Sequence, residues 1–180
     1  MKIAFFANSD FYLYNFRLNL MQKLKEDGFE VFALSPLTNE FFPQQLEKRG
    51  IVFLETPLQR SWGSFLKNLG YFWRVFQISK KYQFDLCHNH TLKVNLLASF
   101  AQKLAKIPLI VCSIPGRGYL SRKKFWEIFI NFGYCFLALF VKKFIFLNEE
   151  DKDYFLKNKI ISPSQAILIK SSGVDTSYFS

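Results

Sequence analysis

Glycine is missing where a dinucleotide-binding turn would need it. The exit of the first apolar segment, residues 8–14, contains none, and a Gly-x-Gly-x-x-Gly turn is what lets backbone close on a pyrophosphate, so this turn is no dinucleotide site. Histidine is scarce too: His88 and His90 are the only two, and the three cysteines, Cys87, Cys112 and Cys135, lack metal-type spacing. No metal site is expected, because adjacent Cys87 and His88 point to opposite faces of an extended strand. The cysteines read as core thiols of a reducing compartment. The apolar start Ile3-Ala4-Phe5-Phe6 breaks at Asn8-Ser9-Asp10, which argues against a signal peptide. The run 125–141 falls short of the ~20 apolar residues that cross a bilayer. The expectation is a cytoplasmic protein.

Acid is in short supply as well. Fourteen Asp and Glu against 24 Lys and Arg leave a formal charge of +10, which points to anionic partners: phosphorylated ligands, anionic lipid or nucleic acid. Solvated lysine is the plainer explanation of the same charge. Half of the 180 residues are hydrophobic, enough for one domain with a real core, so disorder is excluded.

What is present is an alternation of short apolar segments with helical patterns. Strands are expected at 2–7, 29–35, 51–54, 109–112, 143–147 and 166–170, and the stretch 84–93 reads as a buried strand running into polar residues and then a helix. Helices between them imply right-handed βαβ units. The fold class is α/β, a doubly wound, mainly parallel seven-stranded Rossmann-like sheet in the order 3-2-1-4-5-6-7. The first helix is expected to start at an Asn15 cap and bury Phe16, Leu20, Met21 and Leu24. The third, 64–82, carries Phe65, Leu69, Phe72 and Phe76 at helical spacing. The fourth, 94–106, has an apolar face of Val94, Leu97, Ala98, Ala101, Leu104 and Ala105, with Asn95, Ser99, Gln102, Lys103 and Lys106 opposite. The very apolar 122–141 reads as a core helix in preference to one lying on a membrane, although its basic flanks suit anionic lipid.

Ligands in open α/β sheets bind beyond the strand ends. His88 and His90 share a face of their strand; His88 reads as structural and His90, nearer the end, as the better ligand contact. After the fifth strand, Gly116-Arg117-Gly118-Tyr119 opens a helix whose free N–H groups attract anions. Arg17 in a first helical turn opposes the macrodipole, which an anionic ligand would rationalise.

Five landmarks then fall in order: Tyr14-Asn15-Phe16-Arg17, the stretch 85–93 with His-Asn-His-Thr-Leu-Lys, Gly116-Arg117-Gly118-Tyr119, Phe146-Leu147-Asn148-Glu149, and Gly173-Val174-Asp175 with Phe179. Together they resemble the N-terminal domain of glycosyltransferase family 4, enzymes of the two-domain GT-B fold. One departure is Pro115, where many members have histidine, so no histidine role carries over there. The resemblance implies one domain, 1–180, ending at an interdomain linker, with a donor-binding domain or second chain supplying the nucleotide-sugar and no cofactor held here. It implies the acceptor-binding half of a retaining glycosyltransferase acting on a lipid-linked oligosaccharide or cell-surface polysaccharide precursor and inactive alone, with peripheral contact to an anionic membrane. The implied cleft residues are Asn8, Tyr14, Arg17, His90, Lys93, Gly116, Arg117, Gly118, Tyr119 and Glu149; no catalytic residue is assigned. A patch of Tyr12, Leu13, Tyr14, Tyr119, Leu120, Tyr178 and Phe179 is expected beside the cleft. The alternative is a basic single-domain nucleotide- or nucleic-acid-binding module. Nucleic acid is disfavoured because the aromatics lie at core spacing and are not interleaved with Lys and Arg.

Overall fold

The computed structural model describes residues 1–59, 65–116 and 124–170. Strands β1 (Lys2–Phe6), β2 (Glu30–Ser35), β3 (Val52–Glu55), β4 (Leu86–His90), β5 (Leu109–Ile114), β6 (Lys143–Phe146) and β7 (Ala166–Leu168) form one sheet in the order β3-β2-β1-β4-β5-β6-β7, with every neighbouring pair parallel. Parallel neighbours need crossovers. These are helices α1 (Asp10–Glu26), α2 (Phe41–Glu47), α3 (Phe65–Tyr82), α4 (Leu92–Leu104), α5 (Lys124–Leu137) and α6 (Glu149–Lys157). Since all strands run the same way, their C-terminal ends line one edge, and the order reverses between β1 and β4. That reversal is where such sheets open a crevice.

Alternation along β1 splits the core in two. Ile3 and Phe5 pack with Leu13, Met21, Val31, Leu46 and Ile51 on the α1–α2 side, whereas Ala4 and Phe6 join Tyr71, Val75, Val94, Ile110 and Phe144 on the other. Burial on both faces explains why the central strands read as unbroken apolar runs.

Four helices sit differently from expectation. α1 starts at Asp10, capped by Ser9 Oγ, which accepts from the Tyr12 N–H at 3.2 Å. Residues 8–14 are therefore mostly helix, and the buried stripe is Asp10, Leu13, Arg17 and Met21, with Phe16 and Leu20 exposed. Among the described side chains of α3 the buried ones are Tyr71, Val75, Ile78 and Ser79, while Leu69 is exposed, Phe72 and Phe76 are only half-buried, and the Phe65 side chain lies outside those described. In α4 the polar face turns inward: Asn95, Ser99 and Gln102 are fully buried. Asn89 Nδ2 donates to Ser99 Oγ (2.8 Å) and Gln102 Oε1 (2.7 Å), Gln102 Nε2 returns a bond to Asn89 Oδ1 (2.9 Å), and Asn95 Nδ2 donates to the Ser113 carbonyl (2.9 Å). Polar groups that satisfy one another can be buried at little cost. Leu104, expected inside, is exposed.

α5 is no core helix. Ile130, Tyr134 and Leu137 face inward, but Phe125 is 75% and Phe132 72% exposed. Gly133 allows α5 to approach α4, since a Cβ there would lie 2.8 Å from Leu96 Cδ2. Among the described residues no helix is long and apolar enough to cross a membrane. The apolar patch expected beside the cleft does not form as such: Leu13 is buried in the core and Tyr12 and Tyr14 are half-buried. Its other members, Tyr119, Leu120, Tyr178 and Phe179, lie outside the described residues.

Candidate functional site

The ends of β1 and β4 bring Arg17 and His90 together. Leu13, Arg17 and Met21 are successive rungs of the inward stripe of α1, so the core contacts that seat the helix also carry the guanidinium over the sheet edge. Arg17 Nε donates to His90 Nδ1 at 3.3 Å, Nη2 to Tyr12 Oη at 3.0 Å and Nη1 to the Phe16 carbonyl at 3.1 Å. The residue is 6% exposed, and no carboxylate among the described residues forms an ion pair with it. A buried charge without a counter-charge is costly. Three of the five N–H groups have partners among the described residues, and the other two have none there.

His90 is fully buried and stacks on Phe5, with ring centroids 6.0 Å apart and planes 7° from parallel. Its Nδ1 accepts from Arg17, so a neutral ring carries its proton on Nε2, an atom that has no partner among the described residues. His88, 4.1 Å away ring to ring, bonds through Nε2 to Ser113 Oγ at 2.8 Å. Burial, helped by the Arg17 charge, lowers the His88 pKa to about 3. Burial lowers His90 well below its ordinary value, with His88 and Arg17 adding to the effect. Rings this hard to protonate are hydrogen-bonding groups, not proton carriers near neutral pH. The sign of the stability effect follows: between pH 6.5 and 3 the unfolded chain binds more protons, so stability falls with acidification. For His88 alone the loss by pH 5 is about 2 kcal/mol. Urea denaturation at pH 7 and pH 5 checks this; equal midpoints would contradict it.

Thr91 joins β4 to α4 with φ 73° and ψ 152°, a conformation that costs a β-branched residue on the order of 1–3 kcal/mol. Its Oγ1 is buried without a partner among the described residues. Asp10, fully buried at the start of α1, ties the loop after β2: it accepts from the Thr38 N–H (2.8 Å), the Asn39 N–H (3.1 Å), the Thr38 hydroxyl and the Phe11 N–H (2.8 Å). Beside that loop a cleft of about 670 Å³ opens at the ends of β2 and β3, lined by Leu37, Glu55, Gln59, Tyr71 and Arg74. The hydroxyls of Tyr71 and Thr56 are buried with no partner among the described residues.

Of the remaining expected residues, those described do not join Arg17. Asn8 is exposed just before the Ser9 cap. Tyr14 packs on Phe42 and Phe41 of α2 with Arg49 over its ring, away from the β1–β4 junction. Lys93 is buried and donates through Nζ to the Gln59 carbonyl (2.6 Å) and Asn68 Oδ1 (3.4 Å), bracing the cleft wall. Gly116 has open space where a Cβ would stand. Glu149 begins α6 and pairs with Lys170 at 3.3 Å, both exposed. Arg117, Gly118 and Tyr119 lie outside the described residues. Asp10 and Tyr12 were read in the sequence only as residues of the loop 8–14 and, for Tyr12, of the apolar patch, and Thr91 only as part of the stretch 85–93. The pair Ser9-Asp10, a cap followed by a first-turn acid, was the available signal for the first two; nothing local announces the Thr91 conformation.

A doubly wound sheet with a buried cation at its switch point, paired with no carboxylate among the described residues, defines a Rossmann-like domain. The chain belongs to the glycosyl transferase 4-like family, whose model matches residues 2–146. It is 26% identical over 184 residues to the N,N'-diacetylbacillosaminyl-diphospho-undecaprenol alpha-1,3-N-acetylgalactosaminyltransferase of Campylobacter jejuni, covering 99% of this chain and 48% of that one. It is 27% identical over 117 residues to the UDP-Gal:alpha-D-GlcNAc-diphosphoundecaprenol alpha-1,3-galactosyltransferase of Escherichia coli, covering 64% and 30%. Among solved structures, the UDP-GlcNAc 2-epimerase of Neisseria meningitidis superposes with a TM-score of 0.69 at 14% identity, over 96% of this chain and 47% of that one; at such identity the likeness is one of fold. The chain spans about half the length of the Campylobacter relative and less of the Escherichia one.

Proposed function

We propose that this chain is the acceptor side of a retaining glycosyltransferase that extends a saccharide carried on a prenyl diphosphate, with the nucleotide-sugar bound by a further domain or a second chain. The observation that carries this reading is Arg17: a guanidinium buried at the strand ends, with no carboxylate paired to it among the described residues, suits a diphosphate. Both named relatives act on sugars linked to diphospho-undecaprenol, which supports the same ligand chemistry. In this reading Arg17 meets the diphosphate, the His90 Nε2–H donates to a neighbouring oxygen, and the sugar reaches towards the cleft by Gln59 and Tyr71. Asn8, Gly116 and Glu149 would border the donor across the same edge. Membrane contact, at the cytoplasmic surface, follows from a lipid-borne acceptor.

Stabilising the departing nucleoside diphosphate requires cations or helix N-termini around it, and that work is assigned to the donor side. The 180-residue chain, incubated with radiolabelled UDP-N-acetylgalactosamine or UDP-galactose and a short-chain prenyl-diphosphate N-acetylhexosamine, is expected to give no transfer product by itself while retaining the acceptor on an equilibrium filter assay. Turnover by the chain alone, or retention of the nucleotide-sugar in place of the acceptor, would overturn the assignment.

A further inference from the structure

Among the described residues, four other than glycine have a positive φ: Gln83, Thr91, Lys106 and Lys159. Three of them close helices. Gln83 follows α3, Lys106 follows α4 and Lys159 follows α6, and the chain there bonds back to late helical carbonyls, as Ile107 N–H does to Gln102 and Ile160 N–H to Phe155. Thr91 instead precedes a helix. Its φ of 73° with ψ of 152° lies in a region that glycine enters freely and a β-branched residue only under strain. Glycine would serve the turn from β4 into α4. Threonine adds a hydroxyl that the fold does not use: Oγ1 does not cap α4 and is buried with no partner among the described residues, a second cost at the same position.

The surroundings say what the hydroxyl is for. α1 starts with a Ser9 cap and Asp10, and α6 with an Asn148 cap and Glu149, Glu150 and Asp151, whereas α4 has neither a side-chain cap nor an acid in its first turn. The positive end of that helix favours an anion. Lys93 in the same turn directs Nζ to the Gln59 carbonyl and Asn68 Oδ1. The residue before Thr91 is an independent observation. His90 is fully buried, and its Nε2, which carries the proton when Nδ1 accepts from Arg17, has no partner among the described residues. One short stretch thus holds an imidazole N–H, a hydroxyl and the N–H groups of Leu92 and Val94, which lie outside the helix's own ladder. All of them donate, beside a buried guanidinium. A phosphoryl group, rich in acceptor oxygens, satisfies them together. We propose that Thr91 is a specificity residue, whose hydroxyl and helix start take the second phosphoryl group of a diphosphate while Arg17 takes the first. One imidazole separates the two places, which suits phosphates joined by a single oxygen. The proposal rests on the acceptor reading of the Arg17 site and adds to it a preference for diphosphate over monophosphate.

The test is calorimetric titration of the full chain with a short-chain prenyl-diphosphate N-acetylhexosamine and with the matching monophosphate, alongside urea denaturation. The parent is expected to bind the diphosphate about tenfold or more tighter, the weight of hydrogen bonds to a charged group. Thr91→Val keeps the shape and the β-branch without the hydroxyl. Its diphosphate affinity should fall about tenfold and its monophosphate affinity less than about threefold, with a denaturation midpoint no lower than the parent's, since an unpartnered buried hydroxyl is gone. Thr91→Ser, the conservative variant, should restore the binding that valine loses. Thr91→Gly should hold or raise the midpoint by relief of strain and bind the diphosphate as weakly as the valine variant. Arg17→Met reports on the acceptor reading separately and is expected to lose both ligands. If it does so while Thr91→Val keeps the parent's diphosphate affinity, or loses both ligands alike, the proposal falls and the acceptor reading stands. Retention of both ligands by Arg17→Met overturns the two together. A parent that binds both ligands equally, or valine and glycine variants that lose stability with the ligand preference intact, would also overturn the proposal.

Discussion

Replacing Arg17 with methionine is expected to weaken binding of a prenyl-diphosphate saccharide by about a hundredfold or more while leaving the fold at least nearly as stable. The two effects separate because Arg17 is buried with no carboxylate partner among the described residues. A charge buried without its partner opposes folding, and an apolar side chain of similar length relieves that cost. What is given up are the bonds to His90 Nδ1, Tyr12 Oη and the Phe16 carbonyl, each charge-assisted on the guanidinium side and worth roughly 1.5–3 kcal/mol, which relief from burying an unpaired cation offsets to a small net loss. The ligand loses much more. A charge-assisted contact to a desolvated phosphate is commonly worth about 2–5 kcal/mol, and roughly 1.4 kcal/mol is a factor of ten. Calorimetric titration and urea denaturation of the same preparation read both quantities. Unchanged affinity with lost stability would make Arg17 a structural residue instead.

The second large effect is at Asp10. Asp10→Ala is expected to destabilise the chain by about 3 kcal/mol, since it strands several donors at once and the cost of leaving buried groups unsatisfied accumulates. The donors are the backbone N–H groups of Phe11, Thr38 and Asn39 and the Thr38 hydroxyl. The carboxylate also lies in the first turn of α1, where negative charge favours the helix. Asp10→Asn keeps one acceptor oxygen and the shape, so its loss should be smaller. Because α1 carries Arg17 and Tyr12, Asp10→Ala should also weaken ligand binding; a shift in denaturation midpoint no larger than that of an exposed control such as Glu26→Ala would contradict this account of the loop.

The sheet was legible because it depends on local signals that agree. Apolar runs bounded by polar turns and separated by helical patterns leave a parallel sheet as the economical solution, and the order β3-β2-β1-β4-β5-β6-β7 was read correctly. Helix rotation was less legible. Phe16, Leu20, Leu69 and Leu104 were placed inside because they are apolar, yet they are exposed. In α1 the error began with the wrong cap: starting at Asn15 hides the Leu13, Arg17, Met21 spacing that Ser9 and Asp10 reveal. In α4 the inward polar stripe depends on Asn89, which lies on another element and pairs with Ser99 and Gln102 only after the chain folds. No periodicity within α4 contains that information.

The site was half visible. His90 was favoured over His88 from its place near the strand end, and it is the histidine that meets Arg17, at 3.3 Å; Arg17 was favoured from a conflict with the helix dipole that falls away, since α1 begins at Asp10 and Arg17 lies about two turns into it. The depth of Arg17 was not visible, because it depends on the cap and on the contacts that seat α1. Tyr14 belonged to a landmark of the family resemblance, but its ring lies against α2. The apolar helix α5 was read as core because composition alone does not tell a buried stripe from an exposed one beside it. Ile130, Tyr134 and Leu137 supply the former, and Phe125, Phe129 and Phe132 the latter.

The measurement that bears most directly on the acceptor site is long-range ¹H–¹⁵N spectroscopy of the two imidazoles while a water-soluble, short-chain prenyl-diphosphate N-acetylhexosamine is titrated into the chain. Before addition, His90 should be neutral at pH 7 with its proton on Nε2, as the Arg17 Nε to Nδ1 bond requires. On addition, the His90 Nε2–H resonance should move in a saturable way, and it should not move in Arg17→Met at the same concentrations. A ligand that binds with both imidazoles unperturbed, or a His90 ring carrying two protons at pH 7, would contradict the placement of the acceptor diphosphate at the junction of β1 and β4.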